Sequence, residues 1–113
     1  MNSRINEVTS SEELDRLLDS SQTAPVLLFK HSVTCPISTN VFGDVRTIGV
    51  EINVVVVQNS RTVSNEIADR LGIRHESPQA IVVSGGRAVY HASHYDVAGE
   101  DIVRALNFGG QNN

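Results

Sequence analysis

Length, charge and composition exclude several classes of protein. The chain has 113 residues, of which 40% are hydrophobic, and a formal net charge of −4. These values suit a single domain, 1–113, whose core needs no disulfide or metal. The nine basic residues are scattered, which argues against a nucleic-acid partner. No apolar run reaches the roughly 18 residues that a membrane helix needs, so we predict no membrane partner either.

The N-terminal residues and the cysteine count indicate the compartment. Residues 1–7 lack the apolar segment of a secretory signal peptide. The single cysteine, Cys35, has no second cysteine in the chain with which to form a disulfide. We therefore predict a cytoplasmic protein. The Cys35 thiol is then a buried inert group, a reactive nucleophile or one half of an intermolecular bond.

The predicted elements alternate between helix and strand. Ser10 and Glu13 fit a capping box that begins the first helix, and Pro36 suits the first turn of the second, where its missing N–H costs nothing. The β-branched run at 52–57 is typical of a central strand covered on both faces. The pair Gly85–Gly86 predicts a hairpin turn. We predict helices at 11–19, 36–48, 60–71 and 98–107, strands at 26–30, 52–57, 79–83 and 87–91, and a tail at 108–113.

This order predicts an α/β fold with a four-stranded mixed sheet and helices on both faces. Strands joined by helical crossovers run parallel, and the hairpin adds an antiparallel pair. The order of the elements resembles that of thioredoxin-like proteins, which is a fold-level analogy only.

Cys35 is the candidate for chemistry, because it precedes Pro36 at the predicted N-cap of the second helix. A helix N-terminus carries partial positive charge and free N–H groups that favour an anion. Cysteines in such positions can have pKa values lowered from about 8.5 to between about 3.5 and 7.5, and the thiolate is the nucleophile of disulfide exchange. This context favours a reactive thiol over a buried one.

Several residues are candidates to act beside that sulfur. Ser38 falls at the third helical position, where its hydroxyl could donate to the thiolate and where a dithiol site would carry its second cysteine. His31 could approach the thiolate as a cation and modulate it, and His75 could line the same cleft, although a plain surface role suits each of them at least as well. His91 and His94 are predicted to take no part.

The dipeptide Ser77–Pro78 directly precedes a predicted strand. An X–Pro bond is usually trans, but the fold context favours the cis form here. The backbone of Ser77 would then be exposed beside the sulfur and could pair with the extended backbone of a substrate. No Cys/His cluster has the spacing of metal ligands, so we predict no metal.

Three segments are similar to those of the monothiol bacilliredoxin family: 30–38 (KHSVTCPIS), 75–79 (HESPQ) and 94–97 (HYDV). The similarity runs through nearly the whole chain, with Tyr95 where the family often has tryptophan. It implies a thioredoxin-like fold with Pro78 as its cis proline, and a thiol–disulfide oxidoreductase. Cys35 would remove bacillithiol, a small bacterial thiol, from mixed disulfides with cytosolic proteins. The co-substrate would be bacillithiol, glutathione or another small thiol, with no bound cofactor. The substrate-contacting residues would be Thr34, Pro36, Ser38, Ser77 and Pro78.

Two other functions are also compatible with the sequence. The chain could be a non-catalytic interaction module with a buried cysteine. It could also be an oxyanion reductase of the arsenate type, which usually needs arginines near the sulfur, and Arg46 and Arg74 are the only candidates.

Overall fold

A five-stranded sheet with helices on both faces forms the body of the protein. The computed structural model describes the backbone of residues 2–111 and the side chains of residues 2–108. The elements are β1 (Arg4–Glu7), α1 (Ser11–Ser20), β2 (Val26–His31), α2 (Pro36–Val45), β3 (Glu51–Val56), α3 (Arg61–Leu71), β4 (Gln79–Ser84), β5 (Arg87–Ser93), a 3₁₀ turn (His94–Asp96) and α4 (Gly99–Gln111).

The strands lie in the order β1-β3-β2-β4-β5. The first three run parallel to one another, and β4 and β5 are antiparallel to their neighbours. The predicted α/β class and mixed sheet are confirmed, but the predicted count of four strands is wrong.

The unpredicted strand is β1, at the edge of the sheet beside β3. Three of its four residues are exposed, and only Asn6 is half-buried. Such a strand needs no alternation of apolar and polar residues, because neither face covers a core. Its sequence therefore carries no signal of its own, and pairing with β3 holds it in place.

Two apolar cores cover the two faces of the sheet, because side chains along a strand alternate between faces. On one face, Leu28 of β2 packs in a core with Leu14 of α1 and Ile67 of α3. On the other, Phe29 packs in a core with Val41 of α2, and α4 contributes Ile102 to the same core.

Helix ends account for the other differences from the predicted elements. The Ser10 cap of α1 is confirmed, since its Oγ accepts the N–H of Glu13. Helix α2 ends at Val45 rather than Ile48, because the next turn tightens, with Thr47 N–H bonded to the carbonyl of Asp44. Helix α4 continues to Gln111, so the predicted tail is wrong for 108–111; glycines at 109 and 110 weaken a helix without forbidding it. Residues 112 and 113 lie outside the described residues.

The loops that follow β2 and β3 and the loop that precedes β4 lie at the same end of the sheet. Parallel β2 and β3 both end there, and β4 begins there, because Lys30 near the end of β2 pairs with Gln79 at the start of β4. The hairpin turn at Gly85 and Gly86, both with positive φ (62° and 75°), lies at the opposite end of the sheet. The segments around Cys35 and Ser77–Pro78 are therefore neighbours. No helix within residues 2–111 is long and apolar enough to cross a bilayer.

Candidate active site

Cys35 lies between the end of β2 and the start of α2. It is the N-cap residue of α2, with an extended backbone (φ −103°, ψ 118°), and Pro36 follows at the beginning of the helix. Both features were predicted and are confirmed. The thiol is free and half-buried, and the first turn of α2 holds no acidic residue. The partial positive charge of the helix end is thus available to a thiolate.

The Ser38 hydroxyl holds the end of β2 against α2. Ser38 is fully buried, and its Oγ accepts the N–H of Ser32 at 2.9 Å and lies 2.7 Å from Nδ1 of His31. No hydrogen bond joins it to the sulfur of Cys35 among the described side chains. The position that a resolving cysteine would take therefore serves to fix the loop in front of Cys35.

His31 lies in an aromatic environment on the face that carries α2. Its ring centroid is 4.8 Å from that of Phe42 and 6.4 Å from that of Phe29. Burial lowers the pKa of His31 below its usual 6.5. This environment favours a neutral ring at pH 7, whereas the sequence suggested a cation. With the ring neutral, the Ser38 hydroxyl and Nδ1 share one hydrogen bond.

Gln58, which lies in no recognisable sequence motif, binds the loop that precedes Cys35. Its Oε1 accepts the N–H of Val33 at 3.2 Å, and its Nε2 donates to the hydroxyls of Ser32 at 2.8 Å and Thr34 at 3.2 Å. One amide side chain thus holds three consecutive loop residues. The available signal was topological: Gln58 follows β3, whose end lies beside the end of β2.

Arg74–Pro78, here called the proline loop, connects α3 to β4 and contains the Ser77–Pro78 bond, which is cis. The loop is anchored at several residues. The carbonyl of Arg74 accepts from Nε2 of Gln79 at 3.0 Å, Glu76 bonds to Ser93, and the carbonyl of Pro78 accepts the N–H of His94 at 2.9 Å. Ser77 takes part in no hydrogen bond between the described residues, so its backbone groups are available.

One histidine belongs to the proline loop and another contacts it. His75 is exposed, and its Nδ1 lies 3.1 Å from Nζ of Lys30 and 3.2 Å from Oγ of Ser64. His94, predicted to take no part, contacts the loop through its backbone. The next residue, Tyr95, is 67% exposed and accepts a hydrogen bond from Asn40 of α2 at 3.4 Å. The 3₁₀ turn thus lies beside both α2 and the proline loop.

Neither candidate arginine of an oxyanion site has a contact with Cys35 among the described residues. Arg46 caps the C-terminal end of α2, over the ring of Phe42. The ten residues of that helix separate it from Cys35 by roughly 15 Å at 1.5 Å per residue. Arg74 is exposed, and only its backbone carbonyl takes part in a described contact. Within the described residues no three His, Cys, Asp or Glu side chains form a metal-binding group.

Comparison with known proteins agrees with this geometry. A family model described as "Monothiol bacilliredoxin BrxC" matches residues 6–102. A solved structure described as an oxidoreductase with a thioredoxin fold has 27% sequence identity and a TM-score of 0.81, over 89% of this chain and 92% of that chain.

Two thioredoxins share the fold at lower sequence identity. The thioredoxin of Malassezia sympodialis has 13% identity and a TM-score of 0.72, over 97% of this chain and 93% of that chain. The thioredoxin of Fasciola hepatica has 12% identity and a TM-score of 0.71, over 90% and 96%. At these identities the likeness shows the fold alone.

Proposed function

This chain belongs to the monothiol bacilliredoxin family and is a thiol–disulfide oxidoreductase; on that premise we propose that Cys35 removes a small thiol from mixed disulfides with proteins. Bacillithiol is the proposed thiol, with glutathione or a similar molecule as the alternative. The observation that carries the proposal is the free, half-buried thiol of Cys35 at the N-cap of a helix begun by proline.

The proposed step is a thiolate–disulfide exchange. The Cys35 thiolate attacks the sulfur that belongs to the small thiol. A new S–S bond forms between Cys35 and that sulfur, the bond to the target protein breaks, and the target cysteine leaves as a thiolate that takes up a proton. The electron pair that Cys35 contributes to the new bond is balanced by the pair that leaves with the target sulfur.

Release of the small thiol requires a second molecule. Cys35 is the only cysteine in the sequence, so no internal thiol can attack the new disulfide. A second small thiol, or a partner redoxin, attacks the adduct and restores the Cys35 thiolate. The proposed setting is the reducing cytosol, where such thiols are abundant, and the proposed protein partners are S-thiolated cytosolic proteins.

Substrate contacts are proposed at the two segments that flank the sulfur. Thr34 and Pro36 are exposed beside Cys35, and Ser77 is half-exposed at the edge of the sheet. The unbonded backbone of Ser77 suits an extended segment of the target protein. Pro78 is buried, so its proposed role is to fix the backbone of Ser77. Ser38 is fully buried, so its proposed role is indirect, through the Ser32 loop.

The experiment is a single-turnover exchange followed by mass spectrometry. A model protein with one cysteine carries bacillithiol, or in a parallel reaction glutathione, as a mixed disulfide. The wild type is expected to free the model protein and to gain the mass of the small thiol on Cys35. Cys35→Ser, shown to be folded by circular dichroism, is the control and should gain nothing. Release of the model protein by Cys35→Ser at the wild-type rate would refute the proposal.

A further inference from the structure

Lys30 is the most unusual basic residue of the chain. It is the one lysine among the nine Lys and Arg residues, and every arginine of the described chain is exposed. Lys30 is fully buried, at 0% exposure. Lysine is almost never fully buried unless it is paired, and the described side chains include no carboxylate in an ion pair with it. Stability alone gives no reason for a cation here, because an apolar side chain of similar length avoids the cost of desolvation.

Among the described residues, the ammonium group of Lys30 has two partners, both on the α3 side of the sheet. Its Nζ donates to the carbonyl of Ser64 at 2.9 Å and lies 3.1 Å from Nδ1 of His75. Burial, with the positive charges of Lys30 and Arg61, lowers the pKa of His75, so the ring is neutral at pH 7 and Nδ1 accepts from Lys30. Lys30 therefore ties His75, at the start of the proline loop, to the core.

Register in the sheet gives the same loop a second anchor. Lys30 of β2 is paired with Gln79 of β4, so the two side chains lie next to each other on one face. Gln79 is also buried, and its Nε2 donates to the carbonyl of Arg74. Two adjacent buried polar residues thus hold Arg74 and His75, the first two residues of the proline loop.

We propose that Lys30 is a positioning residue for thiol exchange, which through its bond to His75 holds the proline loop so that Ser77 meets the substrate. This inference rests on the proposed function, since it assumes that the substrate backbone docks at Ser77. Lys30 itself touches neither the sulfur nor the substrate. It acts on how well the target protein binds, so its loss should affect KM more than kcat.

The test compares Lys30→Met and His75→Leu with the wild type in the exchange reaction. Lys30→Met keeps the length of the side chain without its charge, so the fold should persist. Both variants are expected to raise KM roughly five- to twentyfold, with kcat within about twofold of the wild type. His75→Gln keeps an acceptor for Lys30 and should restore KM. His91→Leu, an exposed histidine of β5, is the matched control and should behave as the wild type.

A double variant shows whether Lys30 and His75 affect KM through their shared contact or independently. If Lys30 and His75 act through one contact, Lys30→Met with His75→Leu should have the KM of the worse single variant rather than the product of the two increases. A wild-type KM in Lys30→Met, or a multiplicative double variant, overturns the proposal.

Amide hydrogen exchange gives a readout that needs no activity. In Lys30→Met the amide of His94, which donates to the carbonyl of Pro78 in the proline loop, is expected to exchange at least fivefold faster, with the amides of β3 unchanged. Unchanged exchange of the His94 amide would overturn the positioning role even if the wild type is active. Inactivity of the wild type toward mixed disulfides would overturn the proposed function instead, and the exchange data would still decide whether Lys30 holds the loop.

Discussion

The reactivity of Cys35 depends on side chains that hold it in place. Gln58 fixes the three residues before it through both ends of one amide, and Ser38 fixes Ser32 from the other side. These bonds keep Cys35 at the N-terminus of α2, where the helix carries partial positive charge. A residue that touches neither the sulfur nor the substrate can therefore change the rate of attack.

Gln58→Leu removes all three of these bonds without a large change in volume. We expect alkylation of Cys35 by iodoacetamide at pH 7 to slow by roughly three- to tenfold, because the loop no longer holds Cys35 in place; a tenfold change in rate corresponds to only about 1.4 kcal/mol. Asn59→Leu is the matched control, since Asn59 lies in the same loop but its side chain bonds to Glu7. Equal alkylation rates in the two variants would show that Gln58 does not position the thiol.

At the scale of elements, two glycines in helices have opposite surroundings. A Cβ added at Gly43, inside α2, meets no atom within 4 Å, whereas one added at Gly99, where α4 begins, would lie 2.6 Å from Cγ2 of Ile48. Gly43→Ala should raise the free energy of unfolding by about 0.5–1 kcal/mol, through higher helix propensity. Gly99→Ala should lower it by about 1–3 kcal/mol, through overpacking between α4 and the turn after α2.

Urea unfolding of both variants measures these changes. Ile48→Ala removes the atom that the new methyl group meets, so Gly99→Ala should cost less in that background than in the wild type. An equal cost in both backgrounds would mean that the contact with Ile48 is not the cause.

The elements that sequence predicts well are those with a local signal. Ser10 and Pro36 mark helix starts by their own chemistry, and the β-branched run at 52–57 is typical of a covered strand. β1 gives no such signal, because three of its four residues are polar and the strand exists through its pairing with β3. The end of α2 depends on a turn whose bonds involve Asp44 and Thr47, and an apolar residue at position 48 concealed it.

The same distinction applies to the site. Cys35, Pro36 and the segment Ser77–Pro78 were found because each lies in a short recognisable motif. Gln58 and Lys30 were not found, because their roles arise from contacts with residues 24 to 45 positions away in sequence. In the sequence, a lysine that ends an apolar run cannot be told from a residue at the exposed end of a strand. Only the assembled sheet shows that Lys30 is buried.

For the whole molecule, the buried Lys30 makes stability depend on pH. Burial lowers the pKa of Lys30 from 10.5 to about 8, while the unfolded chain keeps the higher value. Between these pH values the unfolded chain binds more protons than the folded one, so the free energy of unfolding rises with pH. The difference between 10.5 and about 8 corresponds to about 3 kcal/mol.

Lys30→Met removes the contribution of Lys30 to the pH dependence of stability. The difference between the variant and the wild type therefore separates this contribution from those of other titrating groups. At pH 7 the variant is expected to be more stable than the wild type by up to about 3 kcal/mol. The advantage should shrink as the pH rises above 8, because the wild type is no longer burying a charge, and should vanish above about pH 10.5. Urea unfolding of both proteins at several pH values from 7 to 10.5 measures the difference. A difference that stays constant over this range would mean that Lys30 has an ordinary pKa in the folded protein.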